Sequence, residues 1–191
     1  MSVHDYQVAI RLLKDNGIEL LSSVGASEMD VTAIEHRLGV VLPPSYRAMV
    51  AEFGNLAFQG IEIYGWTRSG LAADSVPSMI FATESDRKKG LISDRMIIFM
   101  VAGYGPTIVL DCAEADAAGE APVYEIATGG MKHGRDRLAD SFGAFFLREV
   151  ERIVAEVRAE QGAAASGEDM SDTTSKKWMA DYWKQRAKDF E

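Results

Sequence analysis

Four carboxylates fall within ten residues near the middle of the chain, at Asp111, Glu114, Asp116 and Glu120, with no basic residue among them. A calcium loop needs ligands at alternating positions, a central glycine and a terminal bidentate Glu. Alanine fills too many of those positions here, so no metal site is expected. The segment is predicted to be either a solvated loop or a surface that steers a basic protein partner.

A second segment, residues 129–137, combines glycines with Lys132, His133, Arg135 and Arg137. A phosphate-binding loop requires glycine, four residues and then Gly-Lys-Ser/Thr at a helix start, so that backbone N–H groups and the lysine converge on the phosphates. That order is missing, which favours a solvated basic loop. No cofactor is expected.

Cys112 and His133 are of the types that act as nucleophile and base, but the sequence offers no third group to orient them. Cys112 ends an apolar strand, which predicts a buried and inert thiol. One cysteine and three scattered histidines give no zinc-binding spacing, and a single cysteine fits a reducing compartment. We therefore expect no catalytic residue. We also expect the protein to be cytoplasmic. Tyr64, Trp66 and Tyr104 lie near turns, either packed in the core or at a partner-binding rim.

Apolar spacing and capping residues predict helices at residues 6–14, from Ser27 or Thr32 to Gly39, at 44–53, and from Ser141 until the helix fades at 161–162. A short helix at 78–89 remains open. Strands are predicted at residues 61–66, 95–101, 107–112 and 123–127, the last three forming a meander. Helices against a mixed, mainly antiparallel sheet make an α+β fold.

Length and charge limit the possible partners. The chain has 191 residues, enough for one globular domain, and 20 basic against 29 acidic side chains give a net charge of −9. Such a charge disfavours a phosphate backbone as partner, so no nucleic acid is expected. The N-terminus lacks the regions of a signal peptide, and the longest apolar run is far shorter than the roughly 20 residues that cross a bilayer. No membrane association is expected.

The C-terminal part differs in composition. Residues 162–175 are small and polar, as in a linker, and residues 176–191 carry Trp178, Tyr182 and Trp183 in an amphipathic helical pattern. Two indoles and a phenol are too much apolar surface to leave in water. This extra helix is expected to dock on its own domain, on a second copy or on a partner, which leaves monomer and homodimer open.

One motif resembles a known family. Glu35, Leu38, Gly39, Leu42, Pro43 and Tyr46 follow the signature of the SUKH superfamily, also called Smi/Knr-like: Glu, two residues, Leu-Gly, then Leu-Pro, two residues and Tyr. The order Gly54-Asn55 replaces the Asn-Gly of the pattern. The likeness extends over roughly residues 20–160, so a SUKH domain is predicted at residues 1–161.

The resemblance implies an α+β domain without catalytic residues. In bacteria such domains are thought to serve as immunity proteins that neutralise secreted toxins, often nucleases. The expected partner is then a basic toxin domain, with Asp111, Glu114, Asp116, Glu120, Tyr64 and Trp66 as candidate partner-binding residues. A regulatory or scaffold module that binds an endogenous protein is the alternative, and a small-molecule enzyme is the third.

Overall fold

The computed structural model describes residues 2–102 and 105–166. The helices are α1 (Ser2–Asp15), α2 (Glu28–Leu38), α3 (Pro44–Phe53), α4 (Met79–Lys88) and α5 (Phe142–Ser166). The strands are β1 (Leu21–Ser22), β2 (Leu56–Phe58), β3 (Ile61–Ile63), β4 (Met96–Val101), β5 (Thr107–Asp111), β6 (Val123–Ile126) and β7 (Arg135–Ala139).

The chain divides into two compact units, Met1–Glu151 and Arg152–Glu191. The first unit holds every element except the second part of α5. In the second unit, the described residues continue α5 as far as Ser166. Within this part of the helix, Arg152 forms an ion pair with Glu156 at 2.9 Å. The helix thus continues past the point where the sequence predicts it to fade.

The strands form two antiparallel sheets, which confirms the α+β class. The first sheet has the order β1-β2-β3 and the second β4-β5-β6-β7. The meander of β4, β5 and β6 is confirmed, and residues 96–99 of β4 are fully buried, as a continuous apolar run predicts. The sequence predicted one sheet because it indicated neither β1, β2 nor β7.

The helix ends follow the capping chemistry of the sequence. Ser27, rather than Thr32, begins α2: its Oγ accepts from the N–H of Asp30 and its own N–H donates to the Asp30 carboxylate. Ser78 caps α4, which settles the open segment as a helix. Pro44 occupies the first turn of α3, where a missing N–H costs nothing.

The core of the first unit is a cluster of aromatic rings. Phe142 of α5 lies 5.1 Å from the ring of Tyr46 in α3 and 5.4 Å from Phe99 in β4, both edge to face. Tyr6 of α1 completes the cluster, 5.9 Å from Phe146. Edge-to-face contacts of this kind stabilise a core beyond the area that the rings bury.

Some predictions fall outside the described residues: the positions of Tyr104, of most of the linker and of Trp178, Tyr182 and Trp183. Among the helices that the structure does describe, none combines the length and apolar character needed to span a membrane.

Candidate functional site

The signature residues build the turn between α2 and α3. Gly39 ends α2 with a φ of 66°, a conformation that favours glycine, and the Glu35 carboxylate accepts the N–H of Leu42 at 2.9 Å. Leu38 and Leu42 are buried beneath this turn. Pro43 occupies the N-cap position and leads the chain into α3.

Tyr46 connects α3 to the segment that follows β3. Its side chain is fully buried, and its hydroxyl donates to the carbonyl of Tyr64 at 2.7 Å and lies 3.1 Å from Sδ of Met79. Burial raises the pKa of this phenol well above its ordinary value, so the hydroxyl keeps its proton and acts as a donor. The signature residues therefore stabilise the fold.

The first two acidic residues are compensated by a base that the sequence placed in a loop. Arg135, in β7, donates to Asp111 at 3.0 Å and to Glu114 at 2.9 Å, and its guanidinium lies 4.5 Å from the centre of the Tyr124 ring. Hydrogen bonds from the Tyr124 hydroxyl and from Arg135 lower the pKa of Glu114. The sequence shows no basic residue near these acids, yet Asp111 and Glu114 are compensated, because β7 lies in the same sheet and the Arg135 side chain reaches them across Tyr124 of β6.

Glu120 lies in the interior and joins two helix starts. One carboxylate oxygen accepts the backbone N–H of Ser45 at 2.9 Å and the other accepts the Ser45 hydroxyl at 2.7 Å. The same hydroxyl accepts the N–H of Gly143 in the first turn of α5. A carboxylate at the beginning of α3 also complements the positive end of the helix dipole.

Asp116 is exposed and holds the shape of the acidic segment. Its carboxylate accepts the N–H groups of Ala118 at 2.8 Å and Glu120 at 2.9 Å. Asp111 and Glu120 are only 4% and 5% exposed, which removes both from an exposed partner-binding rim. Glu114 and Asp116 are the members of the segment that solvent reaches.

The aromatic candidates divide in the same way. Tyr64 is buried, 7% exposed, which fits core packing and not a rim position. Trp66 is half-buried and its indole lies against Gly70. Trp66, Glu114 and Asp116 as partner-binding residues stay a prediction.

Cys112 is a buried thiol, as predicted. It is 7% exposed, and burial, with the charge of Asp111 as a smaller cause, raises its pKa to about 12. His133 is exposed in a short turn of 3-10 helix, Met131–His133, where its ring lies beside Gly129. In residues 2–102 and 105–166, no three His, Cys, Asp or Glu side chains gather as a metal site would require.

The basic segment is only partly a loop. Its first part forms the 3-10 turn, with Lys132 exposed, whereas Arg135 and Arg137 belong to β7 at the edge of the second sheet. The prediction of a solvated loop is wrong for residues 135–137, which begin β7, because a run of charged residues without apolar alternation gave no sign of an edge strand. This is also why the sequence missed the role of Arg135.

A comparison with family models decides the family. The model SUKH_6, described as SMI1-KNR4 cell-wall, matches residues 28–146. The chain belongs to this family. The match begins at α2 and ends in the first part of α5, so it includes the signature turn, the Arg135 contacts and the bonds of Glu120. No curated protein matches the chain. The SMI1-KNR4 signature thus coincides with the residues that hold the helices and sheets of the first unit together.

Proposed function

We propose that the protein is a non-catalytic protein-binding domain that acts as an immunity protein and neutralises a secreted toxin. The observation that carries the proposal is the SMI1-KNR4 family match over residues 28–146. Domains of the SUKH superfamily, whose signature this chain resembles, are thought to serve as immunity proteins in bacteria. A cytoplasmic location follows from this role, because the protected cell must meet the toxin at its target.

The environment of the reactive groups supports binding without chemistry. The Cys112 thiol has a pKa of about 12 and is buried, so almost none of it is thiolate near neutral pH. The Ser45 hydroxyl is occupied by Glu120 and Gly143. Tyr46, Glu35 and Asp111 likewise have structural partners. Such partners within the fold favour a structural role for these groups.

The charge of the chain supports a basic partner. A net charge of −9 favours encounter with a positively charged surface and disfavours a phosphate backbone. A nuclease that grips phosphates has such a basic cleft, and an acidic protein can occupy it. We therefore propose a nuclease toxin as the target.

The test uses a toxin encoded next to the gene of this chain, prepared both as the active form and as a catalytically dead form. The purified full chain should bind the dead toxin in calorimetry, and its expression should protect cells that produce the active toxin. The Cys112→Ala, His133→Ala double variant should bind and protect equally well. Two outcomes would point to an enzyme: the chain protects cells without binding the toxin, or the folded double variant still binds the toxin but no longer protects. Binding to a host protein but not to the toxin would identify a regulatory module.

A further inference from the structure

The outer face of the first sheet carries a groove of about 380 Å³. Leu21 of β1, Ala57 of β2 and Glu62 of β3 lie side by side in the strand register, and Glu19 and Gln59 also line the groove. Leu21 is 62% exposed although its backbone pairs with Ala57 in the sheet. This row is therefore an apolar strip with a carboxylate on either side.

Glu19 and Glu62 differ from Asp111 and Glu114 in having no cationic partner among the described residues. Glu19 and Glu62 are both exposed, and in the part of the chain that the structure describes neither side chain forms an ion pair or a hydrogen bond. Asp111 and Glu114, by contrast, share Arg135. Two exposed carboxylates that no cation of the described residues neutralises thus line the groove on the first sheet.

We infer that this groove binds an extended basic segment of the partner protein, with an apolar residue over Leu21 and Ala57 and a cationic side chain at Glu19 and at Glu62. The inference rests on the proposed function, since it gives the binding surface and the chemistry of its partner. Charge complementarity selects the occupant: a second copy of this acidic chain would bring like charges to the same face.

The dimensions of the sheet specify the spacing of the segment. Neighbouring strands are roughly 4.8 Å apart, so the positions of Leu21 and Glu62 are separated by about 10 Å. Glu19 precedes Leu21 by two residues and lies on the β1 side of the groove. In an extended peptide, residues four positions apart are about 13 Å apart and point the same way. Arginine or lysine residues four apart, with an apolar residue midway, match this arrangement.

The test is an NMR titration of the isotopically labelled full chain with the peptide acetyl-Arg-Ser-Leu-Ser-Arg-amide. The amide signals of Leu21, Ala57, Gln59 and Glu62 should move in a saturable way. The same peptide with both arginines replaced by citrulline, which is neutral and nearly isosteric, should bind at least about tenfold more weakly. Equal shifts with both peptides, or shifts elsewhere only, would overturn the inference.

Matched variants separate this groove from general acidity. Glu19→Gln with Glu62→Gln should weaken peptide binding about tenfold, whereas Asp74→Asn with Glu151→Gln, which removes two exposed carboxylates outside the groove, should change it less than twofold. Ala57→Arg should also block binding, because its guanidinium fills the groove opposite Glu62. Equal losses in the two double variants would show non-specific attraction and reject the site.

The groove and the proposed function can fail separately. If the unmodified chain binds the dead toxin and the Glu19→Gln, Glu62→Gln variant binds it equally well, the groove is rejected while the immunity role stands. If the chain binds the peptide in the groove but not the toxin, the immunity role is rejected. A concentration-dependent mass increase that Ala57→Arg abolishes would assign the groove to a second copy and overturn the inference.

Discussion

At the scale of single residues, Arg135 explains why a dense acidic segment is tolerated. It compensates Asp111, which is nearly buried, and it comes from a different strand. The sequence could predict that Cys112 is inert, since an apolar strand precedes it directly. It could not predict the Arg135 contacts, because the bases and acids concerned are more than 20 residues apart.

Replacing Arg135 by Gln should lower the free energy of unfolding by about 1–2 kcal/mol, since it leaves Asp111 buried without its cation while the exposure of Arg135 moderates the loss. The matched control is Arg137→Gln in the same strand, whose partner Asp140 is 90% exposed. That control should cost less than about 0.5 kcal/mol. Urea unfolding at neutral pH measures both, and equal effects would contradict a special role for Arg135.

The single cysteine gives a second prediction at this scale. A pKa of about 12 and a buried position mean that iodoacetamide at pH 8 should alkylate the native chain at least about a hundredfold more slowly than the urea-unfolded chain. Intact mass spectrometry follows the reaction without ambiguity because Cys112 is the only cysteine. Similar rates in the two states would mean that the thiol is accessible and ionised.

At the scale of elements, the sequence predicted the helices better than the strands. Apolar periodicity and caps such as Ser27, Ser78 and Ser141 mark a helix locally. β1 has two residues and β7 begins with Arg-Asp-Arg, so neither shows an apolar alternation, and both are recognisable only by their pairing. The division into two sheets follows from those contacts and could not be predicted.

Glu120 is the clearest test of how elements are joined. Glu120→Gln should lower the free energy of unfolding by about 1–3 kcal/mol, because the amide cannot accept both hydrogen bonds from Ser45 at the start of α3. Glu114→Gln, at an exposed position in the same segment, is the control and should have a much smaller effect. If the two variants unfold at the same urea concentration, the hydrogen bonds between Ser45 and Glu120 do not stabilise the fold.

At the scale of the whole molecule, charge and structure have separate roles. The SMI1-KNR4 signature and the buried acids hold the fold together, while the net charge of −9 acts on partners at a distance. Free carboxylates such as Glu19 and Glu62 contribute to both the long-range field and the local fit. Long-range attraction and local fit should therefore be separable by their dependence on salt.

The association rate with a basic toxin should fall at least about tenfold between 20 mM and 500 mM salt, because the Debye length shrinks below the distance at which the two proteins attract each other. The dissociation rate should change much less, since it reports short-range contacts. The association rate of the Glu19→Gln, Glu62→Gln variant should depend less steeply on salt. The Asp74→Asn, Glu151→Gln variant should show the same salt dependence, because the two variants carry the same net charge. Only the groove variant should dissociate faster. Stopped-flow measurements of all three proteins would show this, and a salt-independent association rate would mean that the acidic charge does not guide the encounter.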